Sequence, residues 1–426
     1  MTDFDNGLFL QWCQLYLRFV GADGQRLARI VKECAASTIN TYRTKPRRVD
    51  VALLLANATP NDADFLEAYG WLYEWEQHYA YKATPDLLYG YIEVRLPKDH
   101  SRYILAARAE HPIMKAIPSK HRFKLKEELG TTKVLDLRYH WSQVGNSEDI
   151  KSFRHELFDN LSDNLHIGLS PIASHTDMHW HYDHAHDGNG PIAFWCAGAK
   201  DEDELFSRIS TVLETARLQG LHVLLFPELV MTENLHTKIS AWLLKHNSYE
   251  PVLRLIVAGT RHVQLASGRH SNRCLALDYC GKLVWAQEKR QPFELSAEAS
   301  KKLLGIDAEA YEPSQLSESL RVCGTALGRL ATPICLDFLV DDQWKTLPVD
   351  VFFVPAMSTG LSRFADNSRI VGEQWGSAVF VCNAQPAQLA EDAKQAVYTY
   401  LPTKTTMSPS QLSPFLFILK IAIAMN

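Results

Sequence analysis

Short apolar runs alternate with helical repeats along the second half of the chain. Apolar residues recur every three or four positions between 202 and 218, which predicts an amphipathic helix that begins at Asp201 or Asp203 and ends at Gly220. Further helices are predicted at 235–245, 296–304 and 362–376. Strands are predicted at 165–172, 191–196, 223–226, 253–259, 274–278, 283–287, 320–324, 328–334, 351–354 and 377–383. This alternation predicts an α/β domain.

The first 150 residues have a different pattern. Apolar spacing predicts helices at 8–20 and 27–34, and strands at 88–96 and 102–107. A third helix at 65–81 is dense in aromatic residues. These aromatics either form a stacking platform for a ligand or pack within the protein, and the pattern favours packing. We expect residues 1–150 to be a mixed α/β, helix-rich accessory region.

Composition narrows the class of protein. The chain has 426 residues, of which 46% are hydrophobic and 22% charged, as in an ordinary soluble globular protein. Its net charge of −5 gives no basic surface for nucleic acid or an anionic membrane, so we expect neither as a partner. The eight cysteines form no CxxC pair, and residues 1–5 lack a basic leader. We therefore expect a reduced, cytoplasmic protein.

Three chemically active side chains follow predicted strands. Glu228 follows the apolar run 223–226, Lys289 follows the run 283–287, and Cys335 follows the run 328–334. Open α/β sheets collect their functional groups at the carboxyl ends of strands, so the three side chains are expected to meet there. Taken singly, each has a plainer explanation: a surface carboxylate, a solvated lysine and a small core residue.

The order Glu, Lys, Cys, with its surroundings, resembles the nitrilase superfamily, the carbon–nitrogen hydrolases. The resemblance covers about residues 165–386. The further motifs that carry it are a strand ending at Gly259, the spacing from Asn272 through Gly281 to the lysine, the strand 351–356 after the cysteine, and the segment 369–385 with Glu373 and Asn383.

The resemblance implies a nitrilase-like α-β-β-α sandwich at 160–390 and a Glu228–Lys289–Cys335 triad. In such a site Glu228 is the general base, Cys335 forms a thioester, and Lys289 with the Leu336 N–H stabilises the developing charge. No cofactor and no metal are implied. Glu294 matches the second active-site glutamate of some members, where it orients the lysine or relays a proton. It is equally explained as a surface charge.

The predicted function is hydrolysis of a non-peptide amide or nitrile of a small molecule. Two alternatives remain: an N-acyltransferase that uses the same thioester, and a non-catalytic interaction module. Many family members have an arginine where this chain has Phe338, which predicts an apolar pocket wall. The resemblance also implies a homodimer through helix 362–376, with Trp375 either at the interface or packed inward.

Two segments lie outside the resemblance. Imidazoles and carboxylates crowd the segment 175–187, at His175, Asp177, His179, His181, Asp183, His184, His186 and Asp187. Their spacing fits no named metal site, so a mobile lid or specificity loop is favoured over a metal site. Residues 391–426 form a divergent tail, whose apolar run 413–424 is too short to span a bilayer as a helix. This run is a divergent strand, a docking segment or an altered terminus.

Overall fold

The computed structural model describes residues 26, 29–30, 61–75, 91–95, 102–107, 132–136, 150–158, 161, 164–183, 191–266, 269–291, 293–314, 317, 319–346, 349–384, 396–402 and 408–423. The chain divides into two compact units. The first comprises residues 1–110 and 118–144, and the second comprises residues 111–117 and 145–426.

The described part of the first unit contains one long helix and a small antiparallel sheet. The helix, α1, spans Asp62–Trp75, and Tyr69 on it is fully buried, which supports packing for the aromatic stretch. The sheet has the order β1 (Tyr91–Arg95), β2 (Arg102–Ala107), β3 (Thr132–Asp136). Both predicted strands are confirmed. The predicted helix at 8–20 and most of that at 27–34 lie outside the described residues.

The second unit contains two large sheets in its described part. The strands are β4 (Ile150–Arg154), β5 (Asn164–Leu169), β6 (Met178–Asp183), β7 (Ile192–Ala199), β8 (Val223–Leu225), β9 (Leu255–Gln264), β10 (His270–Asp278), β11 (Leu283–Glu288), β12 (Glu294–Leu295), β13 (Ala310–Tyr311), β14 (Leu320–Thr325), β15 (Gly328–Ala331), β16 (Val351–Ala356), β17 (Ala378–Asn383), β18 (Val397–Tyr400), β19 (Ser410–Ser413) and β20 (Leu416–Ala422). One sheet has the order β11-β10-β9-β8-β5-β20-β19, and the other β18-β17-β16-β15-β14-β4.

Helices cover the outer faces of these sheets. The helices of the unit, in its described part, are α2 (Glu202–Leu218), α3 (Glu233–His246), α4 (Ala297–Leu304), which packs on β12 of a small third sheet, α5 (Leu336–Val340), α6 (Asp342–Thr346) and α7 (Ser362–Trp375). Apolar residues of α2 and α3, such as Leu213 and Ile239, share one core with Leu224 and Ile256 of the first sheet. Helix α7 packs on β17 and β18, while β16 and β17 pack against β9 and β5. The predicted α-β-β-α sandwich is confirmed.

The boundaries of α2 follow directly from its sequence. The Asp201 side chain accepts a hydrogen bond from the Glu204 N–H and begins the helix. Gly220 adopts φ +69° just beyond its end, a left-handed conformation that glycine tolerates without strain. Both ends therefore lie where the polar and glycine residues predicted them.

The histidine-rich segment is not a plain loop. Residues Met178–Asp183 form β6, which pairs antiparallel with β7 in a small sheet of order β12-β13-β7-β6. His184, His186 and Asp187 lie outside the described residues. Among the residues that the structure does describe, no group of three or more His, Cys, Asp or Glu side chains is arranged to hold a metal ion.

The tail contributes strands to both sheets. Strand β18 pairs antiparallel with β17, and β20 pairs antiparallel with β5 over Leu416–Ala422. Of the three explanations for this apolar run, the structure shows the divergent strand. In the described part of the chain, no helix is long and apolar enough to cross a membrane.

Trp375 faces the interior of its own unit. Its side chain is fully buried, and its indole N–H donates a hydrogen bond to the Lys345 carbonyl at 2.6 Å. The alternative in which Trp375 anchors a dimer interface is therefore wrong, and the inward-packing alternative holds.

Candidate active site

Cys335 lies on a strained turn between β15 and α5. Its backbone has φ +44° and ψ −102°, a conformation that non-glycine residues rarely adopt. Its N–H donates to the Pro355 carbonyl at 2.9 Å, which fixes the turn against the end of β16. Backbone strain of this kind persists where the surroundings enforce it, and it is common at functional sites.

Glu228 follows β8 and is almost completely buried, with 2% of its surface exposed. One carboxylate oxygen, Oε2, accepts the Met357 N–H at 3.0 Å. The other, Oε1, accepts Asn272 Nδ2 at 3.0 Å and Lys289 Nζ at 2.9 Å. A buried carboxylate needs such donors, and here three of them hold it in one orientation.

The end of β16 joins the glutamate to the cysteine. The Ala356 carbonyl accepts the Glu228 N–H at 3.3 Å, and the Met357 carbonyl lies 3.9 Å from the Cys335 sulfur, within reach of a weak hydrogen bond from the thiol. Glu228 follows a strand of one large sheet, and β16 belongs to the other. These contacts therefore bring functional groups from the two sheets into one site.

Lys289 follows β11 and lies between two carboxylates. Its Nζ donates to Glu228 at 2.9 Å and to Glu312 Oε2 at 2.7 Å. Burial alone would lower the pKa of the amine, but the charges of Glu228 and Glu312 outweigh it and hold the pKa well above its ordinary value. The group is therefore a fixed ammonium ion, able to stabilise negative charge nearby.

The second glutamate of the site is Glu312, and the prediction of Glu294 is corrected. Glu294 is exposed on β12, where it pairs with Tyr311 of β13. Glu312 follows β13 directly and is buried; its Oε1 accepts Asn272 Nδ2 at 2.9 Å and His262 Nε2 at 2.7 Å. Burial would raise the pKa of Glu312, but Lys289 and His262 outweigh it and lower the pKa.

The thiol of Cys335 is protonated at neutral pH. Burial, and then the negative charge and hydrogen bond of Glu228, raise its pKa well above the ordinary value, while the Lys289 charge opposes them. A preformed thiolate is therefore not available, and attack by the sulfur needs a base that takes its proton during the reaction. Glu228, whose charge acts on the thiol, is the candidate for that base.

Leu336 begins α5 immediately after the cysteine. Its N–H belongs to the first turn, in which the Asp337 and Phe338 N–H groups donate to the Ile334 and Cys335 carbonyls at 2.9 and 3.1 Å. This position is the one expected for a donor to an oxyanion.

Asp337 connects the lysine turn, residues 289–291, to the turn that contains Cys335. Its Oδ1 accepts the backbone N–H groups of Arg290 at 3.0 Å and Gln291 at 2.8 Å. Burial raises the pKa of Asp337 to about 7, against the opposing Lys289 charge and these N–H groups. The Arg290 side chain reinforces the same junction by pairing with Asp341 at 2.8 Å.

Phe338 lies in the core and does not line a pocket. It is 1% exposed, and its ring packs against Phe352 and Phe364 with centroids 5.4 and 6.4 Å away. The prediction that Phe338 forms an apolar pocket wall is wrong. The aromatic residue next to the site is Phe293, whose ring centroid lies 5.1 Å from Lys289 Nζ.

Comparisons with known proteins find likeness in fold. No protein-family model matches the sequence, and no curated protein does either. The chain is similar to the solved structure of Saccharomyces cerevisiae Nit3, a member of branch 10 of the nitrilase superfamily, with TM-score 0.43 and 12% identity over 63% of this chain and 93% of that one. It is similar to an amidase from Nesterenkonia sp. with TM-score 0.40 and 12% identity, over 61% of this chain and 90% of that one. For the C. elegans NitFhit protein the TM-score is 0.42 and the identity 14%, over 61% of each chain.

The architecture and the site agree with the sequence motifs. The two large sheets lie between layers of helices, and the residues that the motifs singled out meet at the ends of β8, β11 and β15. The second unit has the α-β-β-α layering that the order of these motifs predicted.

Proposed function

We propose that this protein hydrolyses a non-peptide carbon–nitrogen bond, in an amide or nitrile of a small molecule, through a thioester on Cys335. The observation that carries the proposal is the buried Glu228–Lys289 ion pair at 2.9 Å, next to Met357, whose N–H donates to Glu228 and whose carbonyl lies 3.9 Å from the Cys335 sulfur. A nucleophile, a base and a fixed cation in one buried site are the parts that acyl transfer from nitrogen requires.

In the first half of the reaction, Glu228 takes the thiol proton as the Cys335 sulfur attacks the amide carbon. The carbonyl π electrons move to oxygen, and Lys289 and the Leu336 N–H stabilise the resulting negative charge. The C–N bond then breaks, and the leaving nitrogen takes the proton from Glu228. The products of this half are ammonia or an amine and a thioester on Cys335. A nitrile forms a thioimidate first, and one water converts it to the same thioester with release of ammonia.

In the second half, water replaces the sulfur. Glu228 is ionised again and takes a proton from water, while the oxygen of that water attacks the thioester carbon. The C–S bond breaks, the sulfur regains the proton, and a carboxylic acid leaves. Glu228 thus acts as base and then as acid in each half. The proposed steps use only groups of this chain and water, one molecule for an amide and two for a nitrile.

The test is ammonia release from a panel of small amides and nitriles. We expect turnover by the wild-type protein and its loss in Cys335→Ala, by a factor of about 10³ or more, because no other group supplies the nucleophile. Cys323→Ala is the matched control. Cys323 is also buried, but burial alone raises its pKa to about 12, and we expect its variant to keep turnover.

Mass spectrometry of the intact protein should show an acyl adduct on Cys335 when hydroxylamine is absent. Hydroxylamine should convert that adduct to a hydroxamate. Ammonia release by Cys335→Ala at the wild-type rate would contradict the proposal, as would a panel on which wild type and Cys335→Ala are equally inactive.

A further inference from the structure

His262 lies on β9, behind the second carboxylate of the site. Its side chain is 1% exposed, and both ring nitrogens have partners. Nε2 lies 2.7 Å from Glu312 Oε1, and Nδ1 lies 2.8 Å from the backbone nitrogen of Cys196 on β7. The histidine therefore bridges the small sheet and the active-site carboxylate.

These two contacts determine the tautomer of His262. A backbone N–H can only donate, so Nδ1 must offer a lone pair to Cys196. The ring proton is then on Nε2, which donates to Glu312. Other groups around the ring are His270, at a centroid distance of 6.2 Å, and Asn272, opposite it in the sheet register. Neither takes the place of these two hydrogen bonds.

Apart from the Cys335 thiol, the two carboxylates of the site have the same number of donors among the described residues only because of His262. Glu228 accepts from Met357, Asn272 and Lys289. Glu312 accepts from Asn272, Lys289 and His262. Without the histidine, Glu312 would keep two donors against three for Glu228, and a carboxylate with fewer donors binds a proton more tightly.

Proton transfer in the proposed reaction depends on this balance. The proton that leaves Cys335 must stay on Glu228 until the leaving nitrogen takes it. If Glu312 were the stronger base, it would bind a proton first and would no longer share the Lys289 charge equally with Glu228. Lys289 would then draw closer to Glu228 and make it a weaker base towards the thiol.

We infer that His262 is a positioning residue, which keeps Glu312 ionised so that Glu228 alone exchanges protons with Cys335. The inference rests on the proposed function, since it assigns a proton path to that reaction. It also gives the small sheet a role at the site, because Cys196 on β7 holds the imidazole in the required tautomer.

Two measurements on the full chain test the inference. The first is the ¹⁵N spectrum of histidine-labelled wild-type protein, with the His262 signals identified by their loss in His262→Gln. We expect the Nε2–H tautomer. The second is the rate at which iodoacetamide alkylates Cys335, followed on the Cys335 peptide by mass spectrometry between pH 5 and 9.

The variants distinguish the effect of losing the hydrogen bond to Glu312 from the effect of losing the imidazole ring. In His262→Phe we expect alkylation at pH 7 to slow about tenfold, as for loss of one charge-assisted hydrogen bond. The acid limb of its pH profile should move up by about one pH unit. His262→Gln retains a donor for Glu312, and its rate should stay within about threefold of wild type. His270→Phe removes a neighbouring imidazole that does not touch Glu312, and its profile should match wild type.

Each outcome decides a different point. An Nδ1–H tautomer overturns the inference, and this result does not depend on whether any variant folds. A His262→Phe profile equal to that of His270→Phe also overturns it, while leaving the proposed function intact. Wild-type Cys335 that iodoacetamide does not alkylate contradicts the proposed function itself, and the positioning role falls with it.

Discussion

Two non-glycine residues of the candidate site have backbone φ angles in the left-handed region. Within the described residues, Leu229 at φ +54° and Cys335 at φ +44° are the non-glycine residues with positive φ. Leu229 directly follows Glu228, the proposed base, and Cys335 is the proposed nucleophile. Each such residue costs of order 1–3 kcal/mol, so the fold gives up stability at two positions of the candidate site.

The role of Glu228 leads to a prediction for its neutral isostere. Glu228→Gln keeps the side-chain volume but cannot take the thiol proton, so turnover should fall by about 10²–10⁴. Glu294→Gln is the control, because Glu294 is exposed on β12. Initial rates of ammonia release for the three proteins check this, and equal losses in both variants would contradict the assignment of the base.

The sequence was sufficient to place Glu228, Lys289 and Cys335 after strands that end in one region of the fold, and their catalytic roles stay a prediction. It was not sufficient to find Glu312. That residue follows a strand of only two residues, Ala310–Tyr311, which has no apolar run to mark it. Its burial depends on donors from β9, β10 and the lysine turn, which are distant in sequence. The family resemblance points to Glu294 instead, because it matches Glu294 to the second active-site glutamate of some members.

Helix α3 is attached to β9 through a histidine that titrates on unfolding. His236 Nε2 lies 2.8 Å from the Ala258 carbonyl, and burial lowers the pKa of His236 from 6.5 to about 4, against the opposing effect of that hydrogen bond. Because the folded pKa is below the unfolded one, the unfolded chain takes up the proton first. This contribution to stability is complete above pH 6.5 and is lost as the pH falls towards 4.

We predict that His236→Gln flattens this dependence. Glutamine can donate to the same carbonyl but does not titrate, so the variant should avoid a loss of up to about 3 kcal/mol between pH 7 and pH 4. His246→Gln is the control, since His246 is exposed on the same helix. Chemical denaturation at several pH values gives the free energies of unfolding. Parallel curves for wild type and His236→Gln would contradict the prediction.

The tail strands provide a matched pair of leucines. Leu416 on β20 is fully buried, whereas Leu412 on β19 is 44% exposed. We predict that Leu416→Ala costs about 2–5 kcal/mol of unfolding free energy, and Leu412→Ala no more than about 0.5 kcal/mol. Denaturant titrations check this. Equal effects would mean that β20 does not pack as an inner strand.

At the level of elements, periodicity predicted the alternating helices and strands of the second unit well and the tail poorly. Helix α2 begins and ends where its capping residues and apolar stripe indicated, because the apolar side chains of that stripe pack into one large core. The run around Leu416 is apolar and short, and such runs fit an inner strand or a docking segment equally well. Only the partner β5, far away in sequence, decides between them. The same holds for Met178–Asp183, whose pairing with β7 makes it a strand.

Assembly remains a prediction at the scale of the whole molecule. We expect a homodimer through α7, where Ile370 is 46% exposed among charged residues. At micromolar concentration, the wild-type protein should then sediment as a dimer and the Ile370→Glu variant as a monomer. Trp375→Ala should leave the sedimentation coefficient unchanged but cost about 3–5 kcal/mol of stability, because Trp375 packs inward. A wild-type monomer would contradict the homodimer.

The position of β20 has a consequence for synthesis on the ribosome. Strand β5 pairs with β20 on one side, yet the two are separated by most of the second unit. At roughly 5–20 residues per second, translation from β5 to β20 takes on the order of ten seconds or more. Throughout that interval the β5 edge is left without its partner, and an open edge invites pairing with other chains. A nascent chain that stalls before Leu416 would therefore be a target for chaperones.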